Sequence, residues 1–137
     1  MIQLRSELSS FVVIHKFLNW HKDEFIMQVH KKEGTSRRIK VEVKKEDKTI
    51  AWAFLYLITN ERHNEPYGLM ENVFVMEQFR GRGIGAQLVK EVIKEAKKQS
   101  CYKLIGQARH VNQRAHQLYT EFGFKNHGLN FRMNLLD

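Results

Sequence analysis

Hydrophobic and polar positions alternate clearly in the middle of the chain. In residues 39–43, Ile and Val alternate with Lys and Glu, which predicts a strand with one face in water. Residues 50–58 are almost continuously apolar, which is typical of a strand at the centre of a sheet. Residues 69–75 predict a third strand, although the polar pair Glu71 and Asn72 interrupts it. A block of neighbouring strands is therefore expected in this region.

After this block the pattern changes to a helical period. Between residues 84 and 96, apolar side chains recur at i and i+4, and Lys and Glu occupy the opposite face. Residues 102–108 predict a return to strand. Residues 115–122 predict a second, short helix, which Gly123 ends as a C-cap. Residues 131–135 predict a last strand.

The first thirty residues have no clean period. A strand over residues 2–8 and one or two helices over residues 9–30 are expected there. In chain order, the elements form an antiparallel block followed by strand, helix, strand, helix and strand. This order predicts the α/β (α+β) class, with residues 1–137 forming a single domain around one sheet.

Composition narrows the class of partner. The 137 residues include 23 basic and 15 acidic side chains, which gives a net charge of +8. Such an excess favours an anionic partner: a nucleic acid, an anionic membrane or a polyphosphate. No apolar run approaches the roughly 18 residues that a membrane-spanning helix needs. Cys101 is the only cysteine, so an internal disulfide and a cysteine-rich zinc site are excluded, and no metal site is predicted. These features predict a soluble, cytoplasmic protein.

The most informative segment is residues 78–86, between the third predicted strand and the first predicted helix. It contains three glycines and two arginines. Glycine allows positive φ and close approach of the backbone to a ligand. The free amides at a helix start, together with the helix dipole, attract anions. The segment therefore predicts a bound phosphate or pyrophosphate.

Two common phosphate-binding motifs do not account for this segment. The P-loop pattern GxxxxGK[ST] is absent. Gly81-x-Gly83-x-x-Ala86 fits the dinucleotide fingerprint, but antiparallel strands precede it and no acidic residue follows at about 20 positions. A dinucleotide is therefore not expected.

Two motifs resemble those of the GNAT superfamily, the acetyl-CoA-dependent N-acetyltransferases. Arg80-x-x-Gly83-x-Gly85 is similar to the family's R/Q-x-x-G-x-G/A signature. Residues 112–124 read N-x-x-A-x-x-L-Y-x-x-x-G-F and are similar to its later element. The resemblance implies the GNAT-type fold, in which helices flank a central mixed, mostly antiparallel sheet.

The resemblance also implies which residues bind acetyl-CoA. Backbone amides of the glycine loop would hold the coenzyme pyrophosphate, and the backbone of the preceding strand would pair with the pantetheine arm. Asn112 matches a coenzyme-contacting position, and it also suits a helix N-cap. The cofactor-binding residues implied in this way are Phe74, Val75, Arg80, Gly81, Arg82, Gly83, Gly85, Ala86, Asn112 and Tyr119.

Two residues are candidates for catalysis. Tyr119 matches the tyrosine that commonly protonates the leaving coenzyme A thiolate, and a neutral phenol suits that role; plain core packing is the alternative. Glu71 is the first candidate for the general base, with a solvent-facing position as the alternative. Water can also relay the proton in this family. Weaker candidates for the base are Glu61, His63 and Glu65.

The implied activity is transfer of an acetyl group from acetyl-CoA to a primary amine of a small molecule or peptide, by direct attack in a ternary complex. An amino-sugar phosphate is an alternative acceptor, because residues 71–104 are also similar to small glucosamine-phosphate acetyltransferases; Arg109, Arg114 or Arg132 could hold its phosphate. A basic nucleic-acid-binding module is the non-enzymatic alternative, but a recognition helix is missing, so nucleic acid is not expected as a partner. A homodimer is expected only by analogy with the family.

Overall fold

The computed structural model describes residues 27–136, and the order of its elements follows the hydrophobic pattern. The expected strand over residues 2–8 and most of the expected helical region after it lie outside the described residues. The chain divides into two compact units, residues 1–34 and 35–137, and everything below concerns the second. Its elements are β1 (Arg37–Lys45), β2 (Lys48–Ile58), β3 (Tyr67–Val75), a 3₁₀ turn (Glu77–Phe79), α1 (Ile84–Lys98), β4 (Leu104–Gly106) and α2 (Gln113–Glu121).

The strands form one four-stranded sheet in the order β1-β2-β3-β4. β1, β2 and β3 are antiparallel neighbours, and β4 joins β3 in parallel. The chain reaches β4 through α1, as a parallel connection requires. The prediction of a mixed, mostly antiparallel sheet with flanking helices is confirmed.

The core lies between one face of the sheet and α1. Ala51, Ala53 and Leu55 of β2 are completely buried, and Leu88 and Val92 of α1 are buried against them. Burying an aliphatic side chain of this size contributes about 1.5–3 kcal/mol. The predicted central position of this apolar strand and the predicted apolar stripe of α1 are both confirmed.

Two predictions about the C-terminal third were wrong. The strand predicted over residues 102–108 is only three residues long, and residues 131–135 form no strand. The alternation of apolar residues there is real, but Phe131 is 93% exposed. A strand requires a ladder of hydrogen bonds to a neighbour, and within residues 27–136 no segment pairs with this one. No helix in the same range is long and apolar enough to cross a bilayer.

Candidate active site

The candidate site opens where β3 and β4 separate. The two strands pair only through Gly68–Met70 and Leu104–Gly106, whereas β3 continues to Val75. Beyond Met70, the edge of β3 that faces β4 has no strand partner among the described residues. Backbone N–H and C=O groups on such an edge can pair with an extended ligand.

A bulge in β3 lies at the same place. Trp52 opposes Phe74 and Phe54 opposes Glu71, so β3 has one residue more than β2 in this interval. Asn72 has a φ of 51°, which asparagine tolerates better than most residues. A bulge bends its strand and redirects side chains. The polar pair that interrupts the predicted strand was therefore a visible signal of this bulge.

The glycine loop forms the start of α1, as predicted. Gly83 is the N-cap residue with a φ of 78°, in the left-handed region that favours glycine. The first helical hydrogen bond runs from the amide of Gln87 to the carbonyl of Gly83, at 3.0 Å. The amides before Gln87 therefore have no partner from a preceding helical turn. They lie at the positive end of the helix dipole, where an anion is stabilised.

A cleft of about 490 Å³ lies between this loop, the end of β3 and α2. Most of the predicted coenzyme-binding residues line it. Arg82 does not; its guanidinium carbon lies 5.8 Å from the centre of the Phe79 ring. The predicted residues that line the cleft are Phe74, Val75, Arg80, Gly81, Gly83, Gly85, Ala86 and Asn112.

Arg80 connects the glycine loop to β3. Its Nε donates a hydrogen bond to the carbonyl oxygen of Val75 at 2.9 Å. Its guanidinium carbon lies 5.7 Å from the centre of the Phe74 ring, within the range of a cation–π contact. The side chain therefore fixes the strand end relative to the loop, and it keeps a positive charge beside the cleft.

A second, smaller cleft of about 180 Å³ contains both candidate catalytic residues. Glu71 lines it from the β3 bulge, and Tyr119 lines it from α2. Asn112 and Leu118 line both clefts, so the two are adjacent. The fold thus brings together two residues that are far apart in the sequence.

Tyr119 reaches this position because of two local features. The side chain of Asn112 caps α2 by accepting a hydrogen bond from the amide of Ala115 at 3.1 Å, and Gly123 follows the helix with a φ of 88°, as predicted. Opposite the tyrosine, β4 carries Gly106. A Cβ at Gly106 would lie 3.3 Å from Cε2 of Tyr119, so a larger residue would force the ring to move.

The surroundings of Tyr119 keep its phenol protonated. Burial raises its pKa above the ordinary value of 10.0, and the negative charge of Glu71 raises it further. In this arrangement the neutral phenol can donate a proton and the neighbouring carboxylate can accept one. Cys101 is half-buried, and burial raises the pKa of its thiol as well, which disfavours a thiolate nucleophile.

Some residues at the two clefts had not been predicted as site residues. Gln107 lines the smaller cleft just after β4. On α2, the larger cleft is lined by Gln117, Leu118 and Glu121. Glu121 lies four residues after Gln117 and three after Leu118, and this helical spacing was a signal in the sequence. Arg114, which was predicted as one of three residues that could hold an acceptor phosphate, also lines the larger cleft.

The weaker candidates for the base lie elsewhere. The centre of the His63 ring lies 3.9 Å from that of Tyr102, near the beginning of β4, whereas the candidate site lies where β3 and β4 end.

Arg132, a candidate for holding an acceptor phosphate, is exposed and donates a hydrogen bond from Nε to Oδ1 of Asn134 at 2.8 Å. Among residues 27–136 there is no group of three or more His, Cys, Asp or Glu side chains that could hold a metal ion.

Residues 5–124 match the Acetyltransferase (GNAT) family, and the chain belongs to this family. The family uses acetyl-CoA as its acetyl donor. The predicted family and its fold are thereby confirmed. Among curated proteins, none matches this chain.

Solved structures agree with this assignment. A protein of Agrobacterium tumefaciens str. C58, assigned as an acetyltransferase, is 30% identical, with a TM-score of 0.62 over 68% of this chain and 65% of that one, slightly less than two thirds of its length. Glucosamine-6-phosphate N-acetyltransferase from Arabidopsis thaliana is 22% identical, with a TM-score of 0.64 over 72% of this chain and 67% of that one. AAC(6')-Iy, solved with a bisubstrate analogue that contains CoA, is 19% identical, with a TM-score of 0.57 over 71% and 69% of the two chains. The last two likenesses concern the fold alone.

Proposed function

We propose that this protein is an N-acetyltransferase that transfers the acetyl group of acetyl-CoA to a primary amine of a small molecule or peptide. The observation that carries the proposal is that the two clefts are adjacent, with Asn112 and Leu118 in the lining of both. The larger cleft begins at the anion-attracting start of α1, and the smaller one contains Glu71 and Tyr119. Such a path suits a long ligand with a polyanionic end and a reactive end.

Acetyl-CoA would bind along this path through backbone groups. The amides before Gln87 would receive the pyrophosphate, with Arg80 adding positive charge. Beyond Met70, the edge of β3 that has no strand partner among the described residues would pair with the pantetheine arm. The thioester would then lie at the bulge beside Tyr119.

The reaction would proceed by direct attack in a ternary complex. Glu71, or water held by it, accepts a proton from the ammonium group, and the free amine attacks the thioester carbonyl. The C–N bond forms, the C–S bond breaks, and Tyr119 donates its proton to the departing thiolate. After the C–N bond has formed, the nitrogen still carries one surplus proton, which passes through water to the phenolate of Tyr119, and Glu71 releases its own proton to solvent after the products leave. Orientation of the two substrates and stabilisation of the oxyanion by backbone amides would supply much of the rate.

The test is a measurement of thiol release from acetyl-CoA with a panel of amines, together with thermal shift. The panel contains amino sugars and their phosphates, amino acids, peptides and polyamines. We expect acetyl-CoA to raise the melting temperature and at least one amine to release thiol with formation of its N-acetyl product. Stabilisation by acetyl-CoA with no amine-dependent release would instead favour a coenzyme-binding sensor. Salt-sensitive binding to DNA without stabilisation by acetyl-CoA would favour the nucleic-acid-binding alternative.

A further inference from the structure

The face of the sheet that points away from α1 carries aromatic side chains. We call it the aromatic face; on β2 it consists of Trp52, Phe54 and Tyr56, which alternate with the buried residues of the core. Phe74 of β3 opposes Trp52, and the two rings stack with centres 4.6 Å apart. These β2 side chains are half-buried, so part of each ring remains accessible to solvent.

Two cations of β1 lie over these rings. The guanidinium carbon of Arg38 is 5.1 Å from the centre of the Phe54 ring. Nζ of Lys40 is 5.8 Å from the centre of the Trp52 ring and 5.9 Å from that of Phe54. Lys40 also forms an ion pair with Glu42, yet its side chain is 42% exposed. The aromatic face therefore has a positively charged border on the β1 side.

The strand register places this border in line with the candidate base. Lys40 opposes Phe54, and Phe54 opposes Glu71, so the three side chains form one row across the sheet. Neighbouring strands are about 4.8 Å apart, so the backbones of Lys40 and Glu71 are separated by about 10 Å. The row thus has a cation at one end, an aromatic ring in the middle and a carboxylate at the other end.

We infer that the aromatic face binds the acceptor, and that the acceptor is a small primary amine with a phosphate or carboxylate at its far end. The inference rests on the proposed function and names the substrate class of the same site. The amine lies at Glu71, the body of the acceptor lies on Phe54, and the anionic group lies at Lys40 and Arg38. Polyamines fit poorly, because their second positive charge would lie against the same two cations.

The test compares matched amines that differ only in the anionic group. Glucosamine is compared with glucosamine 6-phosphate, and 6-aminohexanamide with 6-aminohexanoate, so that phosphate and carboxylate are examined separately. The measured quantity is kcat/KM for thiol release at saturating acetyl-CoA. We expect the anionic member of at least one pair to be preferred by about tenfold or more, because one hydrogen bond to a charged group accounts for such a factor. The preference is expected to fall as salt is added.

The variant that isolates the contact is Arg38→Gln with Lys40→Gln. We expect KM for the anionic amine to rise until the preference is nearly lost, while kcat/KM for the neutral amine stays the same. The control, Lys90→Gln with Lys97→Gln, removes the same charge from exposed positions of α1. It is expected to retain the preference. Equal kcat/KM within both pairs, or a preference that survives in the Arg38/Lys40 variant, would overturn the inference.

Failure of the inference and failure of the proposed function give different results. Transfer to neutral and anionic amines at equal rates overturns the inference and leaves the proposed function intact. If acetyl-CoA binds but no amine reacts, the proposed transfer fails. In that case, calorimetric binding of the same pairs in the presence of coenzyme A decides the inference. Equal binding of the charged and neutral members, or no binding of either, overturns it.

Discussion

The two walls of the candidate site are built from different parts of the chain. On the predicted coenzyme side, the groups expected to contact the ligand are backbone groups: the amides at the start of α1, with its positive-φ Gly83, and the edge of β3 that has no strand partner among the described residues. On the predicted acceptor side, the side chains of Glu71 and Tyr119 line the smaller cleft, and the row of Lys40, Phe54 and Glu71 connects it to the aromatic face. Ligand contacts that are made by the backbone depend on few residue identities, whereas contacts that are made by side chains change with every substitution.

This difference explains how one family can use one donor and many acceptors. The family uses acetyl-CoA as its donor, so a backbone cradle can be kept while the opposite wall varies. Function then resides in the side chains that the fold presents rather than in the fold itself. Substitutions on the two walls should therefore have separable effects, on coenzyme binding for one wall and on turnover for the other.

The largest effect is expected from Gly83→Glu on the coenzyme wall. Gly83 has a φ of 78°, which strains any L-residue, and the new carboxylate would lie where an anion is predicted to bind. Opposing like charges at a binding site costs several kcal/mol, so we expect acetyl-CoA affinity to fall roughly a thousandfold. Isothermal calorimetry measures the affinity, and circular dichroism verifies that the fold is kept.

Gly128→Glu is the matched control for this experiment. Gly128 has no positive φ, and a Cβ there would have no heavy atom within 4 Å. Its affinity for acetyl-CoA should equal that of the parent. If both variants bound equally well, the glycine loop would not be the pyrophosphate site, and the coenzyme wall would have to lie elsewhere.

The next largest effect is expected from Tyr119→Phe on the opposite wall. Loss of a positioned general acid costs a factor of at least about a hundred, so kcat should fall by about that factor, with KM for acetyl-CoA nearly unchanged. Tyr102→Phe is the control, because the Tyr102 hydroxyl accepts a hydrogen bond from Asn60 at the far end of β4. Equal turnover in the Tyr119 and Tyr102 variants would assign Tyr119 to the core alone.

The same contrast between backbone and side chains decided what could be predicted from the sequence. The apolar periods of β1 to β3 and of α1 were strong enough to predict the elements, and the glycine spacing predicted the loop with Gly83. The strand over residues 131–135 was predicted wrongly, since alternation describes which side chains face water and says nothing about a pairing partner. The row of Lys40, Phe54 and Glu71 could not be predicted, because a slip of one residue in register would send each side chain to the other face.

A smaller effect, about tenfold in kcat at neutral pH, is expected from Glu71→Gln. Removing one proton acceptor costs less than the full contribution of general base catalysis when water can replace it. The loss should diminish at higher pH, where more of the amine is already deprotonated. Glu61→Gln, in the exposed loop before β3, is the control. Full activity of the Glu71 variant at neutral pH would remove this residue as the base.

The Glu71 variant also has a measurable consequence for Tyr119. Because the negative charge of Glu71 contributes to the raised pKa of Tyr119, the pKa should move down in Glu71→Gln. Because the pKa of Tyr119 is raised in the folded state, the tyrosine makes its full contribution to stability at pH values below the ordinary pKa of 10.0. This contribution is lost as the pH rises through the pKa of the folded state. Phenolate absorbance, taken as the difference between each protein and its Tyr119→Phe counterpart, follows the titration. An unchanged pKa would show that the two groups do not interact.

The smallest effect is expected from Asn112→Ala, at the junction of the two walls. Its side chain caps α2 and lines both clefts, and loss of an N-cap costs about 1 kcal/mol. That cost corresponds to about a fivefold change in the unfolding equilibrium, measured by urea denaturation. Gln113→Ala, one residue further and exposed, should leave stability nearly unchanged.

Asn112→Asp separates the capping role from coenzyme binding, because Asp also caps a helix but adds a negative charge to the larger cleft. If Asn112 contacts the coenzyme, the Asp variant should keep its stability and bind acetyl-CoA more weakly; if both properties stay at the parent level, Asn112 acts only as a cap.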